Sequence, residues 1–169
     1  IAENVKGMLI GNAKGYTKLV MARFREIGYR PQLFLLNAAD CGVPQRRERV
    51  LFCALRDDID RPALKLAPRH RWISAGEATA DVQVLTVAEK EETKPSPIDF
   101  EWWPKTIPGE HSGYAQAVER AKQKRKLFNH WRLGYNTPSY TLSANTKAAM
   151  HWNECRALTF REWKRLGSF

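Results

Sequence analysis

The chain has 169 residues and a mass of 19.5 kDa, with 43% hydrophobic and 27% charged residues and a mean hydropathy of -0.53, which is the composition of an ordinary globular domain. No apolar run reaches the roughly 18 to 20 residues a bilayer span needs, and the first residues lack the basic-then-apolar layout of a secretory signal, so no membrane partner is expected. The 28 Lys+Arg against 18 Asp+Glu give a formal charge of +10, a surplus that points to a polyanionic partner.

The surplus is uneven. Residues 1–62 carry 11 basic and 7 acidic groups, residues 63–108 carry 6 and 7, and residues 109–169 carry 11 and 4, which makes the C-terminal third the expected polyanion surface. Cys41, Cys53 and Cys155 stand at wide, unpatterned spacing. They define neither a disulfide framework nor a zinc site, and a reducing, cytoplasmic compartment fits them best. All three read as small buried residues, and His151 with Cys155 does not make a metal site.

In chain order, residues 12–28 place Leu19, Val20, Met21, Phe24 and Ile27 at helical spacing, with Gly28 where a helix C-cap is favoured. Beyond Arg30-Pro31, residues 32–37 (QLFLLN) form a short apolar run expected of a strand buried on both faces, and residues 50–55 (VLFCAL) look the same. Residues 1–56 thus read as strand end, helix, strand, loop, strand, the grammar of a doubly wound α/β sheet. Residues 57–113 hold most of the prolines and the acidic patch at 89–92, and read as an irregular insertion. Residues 114–128 are good helix formers and crowd Arg120, Lys122, Lys124, Arg125 and Lys126 into seven positions. Residues 139–144 (SYTLSA) resemble a short strand. Residues 159–166 read as a helix whose Thr159 and Glu162 have capping-box spacing.

Most single motifs are weak. Glu3-Asn4-Val5 alone is a solvated tripeptide. The run 42–50 (GVPQRRERV) is sharper: it puts Arg46, Arg47 and Arg49 between two apolar strands, and in extended chain Arg47 and Arg49 share one face while Arg46 and Glu48 share the other. A loop at a strand end of an open α/β sheet faces the ligand crevice. Trp102 and Trp103, adjacent within the insertion, are expected to anchor its small core rather than to stack on bases.

The order of the motifs carries more than any one of them. ENV, a helix, NAADCGVPQRRERV, a long insertion, TLSA and then RALTFREWKRLGSF resemble the second half of a bacterial cytosine-5 DNA methyltransferase over the whole chain. ENV is similar to that family's motif VI, Gln45 to Arg49 to motif VIII, and residues 156–169 to motif IX. The resemblance implies a partial Rossmann-like methyltransferase sheet over residues 1–56, a target-recognition region over 57–150, and a motif IX helix over 151–169 returning to the catalytic domain. It implies methyl transfer from S-adenosyl-L-methionine to C5 of a cytosine flipped out of duplex DNA.

Residue by residue, it implies that Glu3 bonds N3 of the cytosine and favours its protonation, so that C6 accepts a thiolate. Asn4 helps fix that loop, and Arg49 reaches the O2 edge where charge develops. Arg47 lies closer to the phosphate and the pocket wall, Gln45 belongs to the same DNA-facing motif, and Thr141 lies on the backbone beside the extruded nucleotide. Phosphate contact from Lys122, Lys124, Arg125 and Lys126 completes the expected DNA surface. The family's Pro-Cys nucleophile and its glycine-rich cofactor loop do not occur in the 169 residues, and neither does its closing motif X. The cofactor is therefore expected to be held mainly by an N-terminal half, and the partners are double-stranded DNA and either that half or a self-associated copy. The chain by itself is expected to be inactive. A noncatalytic DNA-binding remnant, or the recognition subunit of a split enzyme, is the rival reading; methylation of RNA by a relative is a third, disfavoured by the length of the insertion.

Overall fold

The computed structural model describes residues 1–110, 131–143 and 146–168. They pack as two compact units, residues 1–41 with 47–70 and residues 42–46 with 71–169. Residues 57–70 therefore stay with the sheet, and residues 42–46 leave it for the second unit.

The first unit contains β1 (Ala2–Val5), α1 (Ala13–Glu26), β2 (Tyr29–Asn37) and β3 (Glu48–Arg56). The sheet order is β1-β3-β2, with both pairings antiparallel, so β1 and β2 run parallel to each other on either side of β3. A β-α-β crossover thus leaves a gap that the returning third strand fills, which makes this a piece of a mixed Rossmann-like sheet. Val5 lies opposite Arg49, and β2 pairs along its length from Tyr29 opposite Arg56 to Asn37 opposite Glu48. Helix α1 ends where expected, because Gly28 takes φ 80, a left-handed conformation that glycine adopts without a Cβ penalty. Thr17 pins the helix by donating its hydroxyl to the Met8 carbonyl at 2.6 Å.

Central β3 supplies the core of this unit through Val50, Phe52 and Cys53. The expectation that the apolar run of β2 is buried on both faces is not met. Leu33 and Leu35, which alternate onto one face, are 36% and 44% exposed, so among the described residues that face is left largely open. After β3, residues 57–70 follow β2. The Arg30 guanidinium donates to the Ile59 carbonyl, the Gln32 side chain exchanges two hydrogen bonds with the Leu64 backbone (3.0 and 2.7 Å), and the His70 N–H donates to the Asp40 carbonyl at 2.9 Å.

The second unit is less irregular than its composition predicts. It carries short helices α2 (Ala75–Ala78), α3 (Val87–Glu92) and α4 (Pro97–Trp102), a two-stranded parallel pair of β4 (Trp131–Arg132) and β5 (Ala149–Met150), and α5 (Phe160–Gly167). Each helix starts at a Ser or Thr: Ser74, Thr86, Ser96 and Thr159. The core joins Ala75, Leu133, Ala149, Leu158 and Leu166. Trp102 is buried, and Trp103 donates its indole N–H to the His151 carbonyl while the Arg132 guanidinium lies 3.7 Å from its ring centre, so Trp103 is tied to β4 and to the residue after β5. Of the strand expected at 139–144, the described residues 139–143 show one bridge, between Ser139 and Gln45. Its continuation is diverted because the Thr141 hydroxyl bonds the Arg46 carbonyl. The helix expected at 114–128, with Lys122, Lys124, Arg125 and Lys126, lies outside the described residues.

Candidate functional site

On the sheet, Glu3 and Arg49 converge. Arg49 sits opposite Val5 and Glu3 opposite Leu51, two rungs along, so antiparallel alternation sends both side chains to one face. The Arg49 Nε lies 2.7 Å from the Glu3 Oε1 as an ion pair, and Nη1 donates a hydrogen bond to the Glu48 carbonyl at 2.8 Å. Arg49 is thereby held mostly covered, 22% exposed at the side chain, while the Glu3 carboxylate remains 52% exposed and approachable. Asn4 points the other way in the strand, and its Oδ1 accepts the Val5 N–H at 2.8 Å, stiffening the end of β1. Glu48, on the face opposite Arg49, takes Lys6 as its partner at 2.7 Å.

Arg47 precedes β3 and is set by a residue the sequence reading missed. Asn37 closes β2 and accepts both the Arg47 N–H (3.1 Å) and the Ala39 N–H (3.2 Å) on its Oδ1, while the Ala38 N–H donates to the Arg47 carbonyl at 3.0 Å. The signal was an Asn directly after an apolar run, the residue type that bonds backbone two positions on.

In the second unit, Gln45 is not the open DNA contact expected of it. It is 5% exposed, and its amide donates to the Leu166 carbonyl at 3.4 Å, which makes it a buried strut. Next to it the Arg46 N–H donates to the Ser139 carbonyl at 2.8 Å, and the exposed Thr141 donates its hydroxyl to the Arg46 carbonyl at 2.9 Å. The Arg46 guanidinium lies 5.2 Å from the Tyr140 ring centre, and Tyr140 stacks on Trp131 at 3.7 Å. Thr141 is thus fixed at one end of a braced loop with its oxygen lone pairs free to accept.

The C-terminal motif builds a buried ionic knot. Arg156 makes a bidentate bond to Glu162 (2.8 and 2.8 Å) and a further bond to Glu154, and Glu162 also accepts the Thr159 N–H at 2.7 Å. Burial pushes the Glu162 carboxyl up, but the Arg156 bonds and the Thr159 N–H outweigh it and leave the pKa below the usual carboxylate value. His151 lies against the same knot. Burial, with Arg156 beside it, lowers its pKa to about 4, so it is neutral near pH 7, accepting the Glu154 N–H on Nδ1. Of the cysteines only Cys53 is buried as expected; Cys41 is exposed, at the end of the turn Ala38–Cys41, and Cys155 is half-buried.

The family C-5 cytosine-specific DNA methylase matches residues 1–169. The chain belongs to this family. It is 31% identical to the type II methyltransferase M.NgoFVII of Neisseria gonorrhoeae over the whole chain and 48% of that protein, and 30% identical to M.BbvI of Brevibacillus brevis over the same shares. With M.BspRI of Lysinibacillus sphaericus the identity rises to 47%, over 36% of this chain and 14% of that protein. A solved DNA modification methyltransferase encoded within an E. coli prophage superposes with a TM-score of 0.63 over 98% of this chain and 57% of its own, at 18% identity, and shares the fold. The chain spans about half the length of the curated relatives it matches from end to end. Among the described residues no helix is long and apolar enough to cross a membrane.

Proposed function

We propose that this chain is the C-terminal part of a DNA cytosine-5 methyltransferase, in which Glu3 and Arg49 hold the target base. The observation that carries the reading is their convergence: a carboxylate and a guanidinium, 2.7 Å apart on one sheet face, present an acceptor and fixed donors side by side. A cytosine offers two acceptors, N3 and O2, along one edge, so Arg49 donates to O2 and the Glu3 carboxyl meets N3 through one proton shared between them. The Glu3 carboxyl bonds N3 and strengthens that bond as the ring gains a proton, and Arg49 bonds O2, so both interactions grow toward the transition state. Arg47 serves the phosphate and the pocket wall, and Thr141 the backbone of the extruded nucleotide. Lys122, Lys124, Arg125 and Lys126 serve the duplex phosphates. Gln45 is left out of the DNA surface, since its amide is committed to Leu166.

S-adenosyl-L-methionine supplies the methyl group in the complete enzyme. The residues of this chain offer no glycine-rich loop to hold it, and no proline-flanked cysteine to attack C6. Both belong to an N-terminal half, supplied in the same polypeptide or as a separate subunit. The test is reconstitution. The chain alone should neither bind S-adenosylmethionine nor methylate duplex DNA, and adding an N-terminal half that carries the nucleophile and cofactor loop should restore both. In the restored enzyme Glu3→Gln should lower turnover far more than it weakens DNA binding, and unchanged turnover would remove the role assigned to Glu3.

A further inference from the structure

Residues 57–70 form a strap that the sequence reading assigned to the insertion, yet the strap lies along β2 in the first unit. Its three ties to the sheet region come in order: Ile59 beside Arg30, Leu64 beside Gln32, and His70 beside Asp40. The strap therefore runs in the same direction as β2. Between Ile59 and Leu64 five residues advance only from Arg30 to Gln32, with the Arg61 N–H turned back onto the Ile59 carbonyl, whereas the six residues from Leu64 to His70 pass from Gln32 to Asp40 and run more extended. Lys65 and Arg69, four positions apart, are then separated by about 13 Å.

The ties use main-chain groups of the strap and so leave its side chains uncommitted. Arg61, Lys65 and Arg69 are exposed, and among the described residues their side chains form no ion pair or hydrogen bond. That departs from the neighbouring arginines, since Arg30 pairs with Asp57, Arg56 with Asp58 and Arg71 with Glu77. Between Arg61 and Glu77 the sequence contains no acidic residue. Three uncompensated cations on one short segment tied to the sheet by its main chain repel one another, and they become favourable beside a surface of negative charge.

We infer that the strap carrying Arg61, Lys65 and Arg69 is a phosphate track for duplex DNA flanking the target base. This rests on the reading of the chain as part of a DNA methyltransferase. The strap ends at Asp40, just past Asn37, where β2 meets the start of β3 and Leu36 pairs with Arg49. It thus leads away from the Glu3 and Arg49 end of the sheet. Nine-residue β2 spans about 26 Å, and at about 3.4 Å per base pair the track covers roughly seven or eight base pairs. A duplex carries one charge per about 1.7 Å of axis, wound around it on two strands, so phosphate contact by these three cations makes no requirement of base sequence.

The experiment measures binding of the 169-residue chain to duplexes across a range of salt concentrations. The variant Arg61→Gln, Lys65→Gln, Arg69→Gln is compared with a control of equal charge change, Lys18→Gln, Arg25→Gln, Lys164→Gln. Circular dichroism melts check that both fold. The strap variant should lose about tenfold or more in affinity at 0.1 M salt, and its slope of log K against log salt should fall by about 2 to 3, whereas the control slope should move by less than about 1. Trimming one flank of the duplex by about eight base pairs should weaken the parent chain and leave the strap variant unaffected. Equal losses in the two variants would show a general charge effect and overturn the inference, as would no loss in the strap variant, no duplex binding by the parent chain, or tighter binding to duplex RNA than to DNA. None of these touches methyl transfer by the reconstituted enzyme, which tests the underlying reading separately.

Discussion

Arg49 has two partners of unequal kind, the Glu3 carboxylate as an ion pair at Nε and the Glu48 carbonyl as a hydrogen bond from Nη1, and together they hold the guanidinium in place. A lysine replaces that planar group by a single mobile charge. Arg49→Lys in the reconstituted enzyme should therefore cost about 1 to 3 kcal/mol of transition-state stabilisation, read as a fall in kcat/KM, the size of a charge-assisted hydrogen bond. The same pair should matter little to folding. Glu3 is half-exposed, so the ion pair is worth under about 1 kcal/mol, and Glu3→Gln should leave the unfolding midpoint nearly unchanged while turnover collapses. His151 behaves in the opposite way, since it touches stability rather than chemistry. Its pKa of about 4 lies below the unfolded value, so the folded chain takes up its proton later than the unfolded chain as pH falls. Its contribution is complete above about pH 6.5 and is lost progressively toward pH 4, by up to about 3 kcal/mol. Denaturant titrations at stepped pH should show this slope, and His151→Gln should flatten it between pH 6.5 and 4.5. At this scale the side of the sheet that Arg49 takes was legible, because β3 alternates strictly from Glu48 onward. Gln45 was misread because its partner, Leu166, stands 121 residues away.

Helix α5 shows what an element owes to its first turn. Thr159 and Glu162 bond each other reciprocally, so the start of the helix is fixed before any packing is counted. Thr159→Ala should cost about 1 kcal/mol, the usual worth of a lost cap. Glu162→Gln should cost more, about 2 to 4 kcal/mol, since it takes from the buried Arg156 guanidinium its bidentate charged partner and leaves it only the more exposed Glu154. If the two substitutions proved equally mild in urea unfolding, the ionic knot would be ornamental. Helix α2 has a different constraint. A Cβ on Gly76 would sit 2.2 Å from the Tyr135 ring, so Gly76→Ala should destabilise, and Tyr135→Ala in the same chain should relieve most of the loss. The capping box of α5 was readable from four letters because it is a local device. The failed strand at 139–144 was not, because Thr141 answers to the Arg46 carbonyl and Ser139 to Pro44, both from a loop some 95 residues upstream. Those same bonds draw residues 42–46 out of the sheet unit, a division that no composition shift marks.

The molecule as a whole buries less apolar surface in its first unit than its sequence offers. Val5 on β1 is 51% exposed, Leu33 and Leu35 on β2 share an uncovered face, and Leu19 and Ile27 stand out from α1. β1 pairs only with β3, so its other edge presents unsatisfied backbone donors and acceptors among the described residues. An open strand edge next to an apolar face is the arrangement that recruits another strand. Within QLFLLN the residues Leu33 to Leu36 are apolar without a break, so the sequence reveals a strand but not which of its faces finds a cover. We expect the 169-residue chain to self-associate or exchange strands as its concentration rises, visible as a growing sedimentation coefficient and as unfolding midpoints that depend on concentration. Leu33→Lys with Leu35→Lys should reduce the association by charging the open face, without touching Val50, Phe52 or Cys53 in the buried core. An N-terminal half that completes the sheet should suppress it more fully, since it covers the edge as well as the face. A compact monomer whose unfolding is cooperative and independent of concentration would show that the exposed leucines and the open edge are tolerated in water as they stand, and would remove the physical reason for a partner on this side of the sheet.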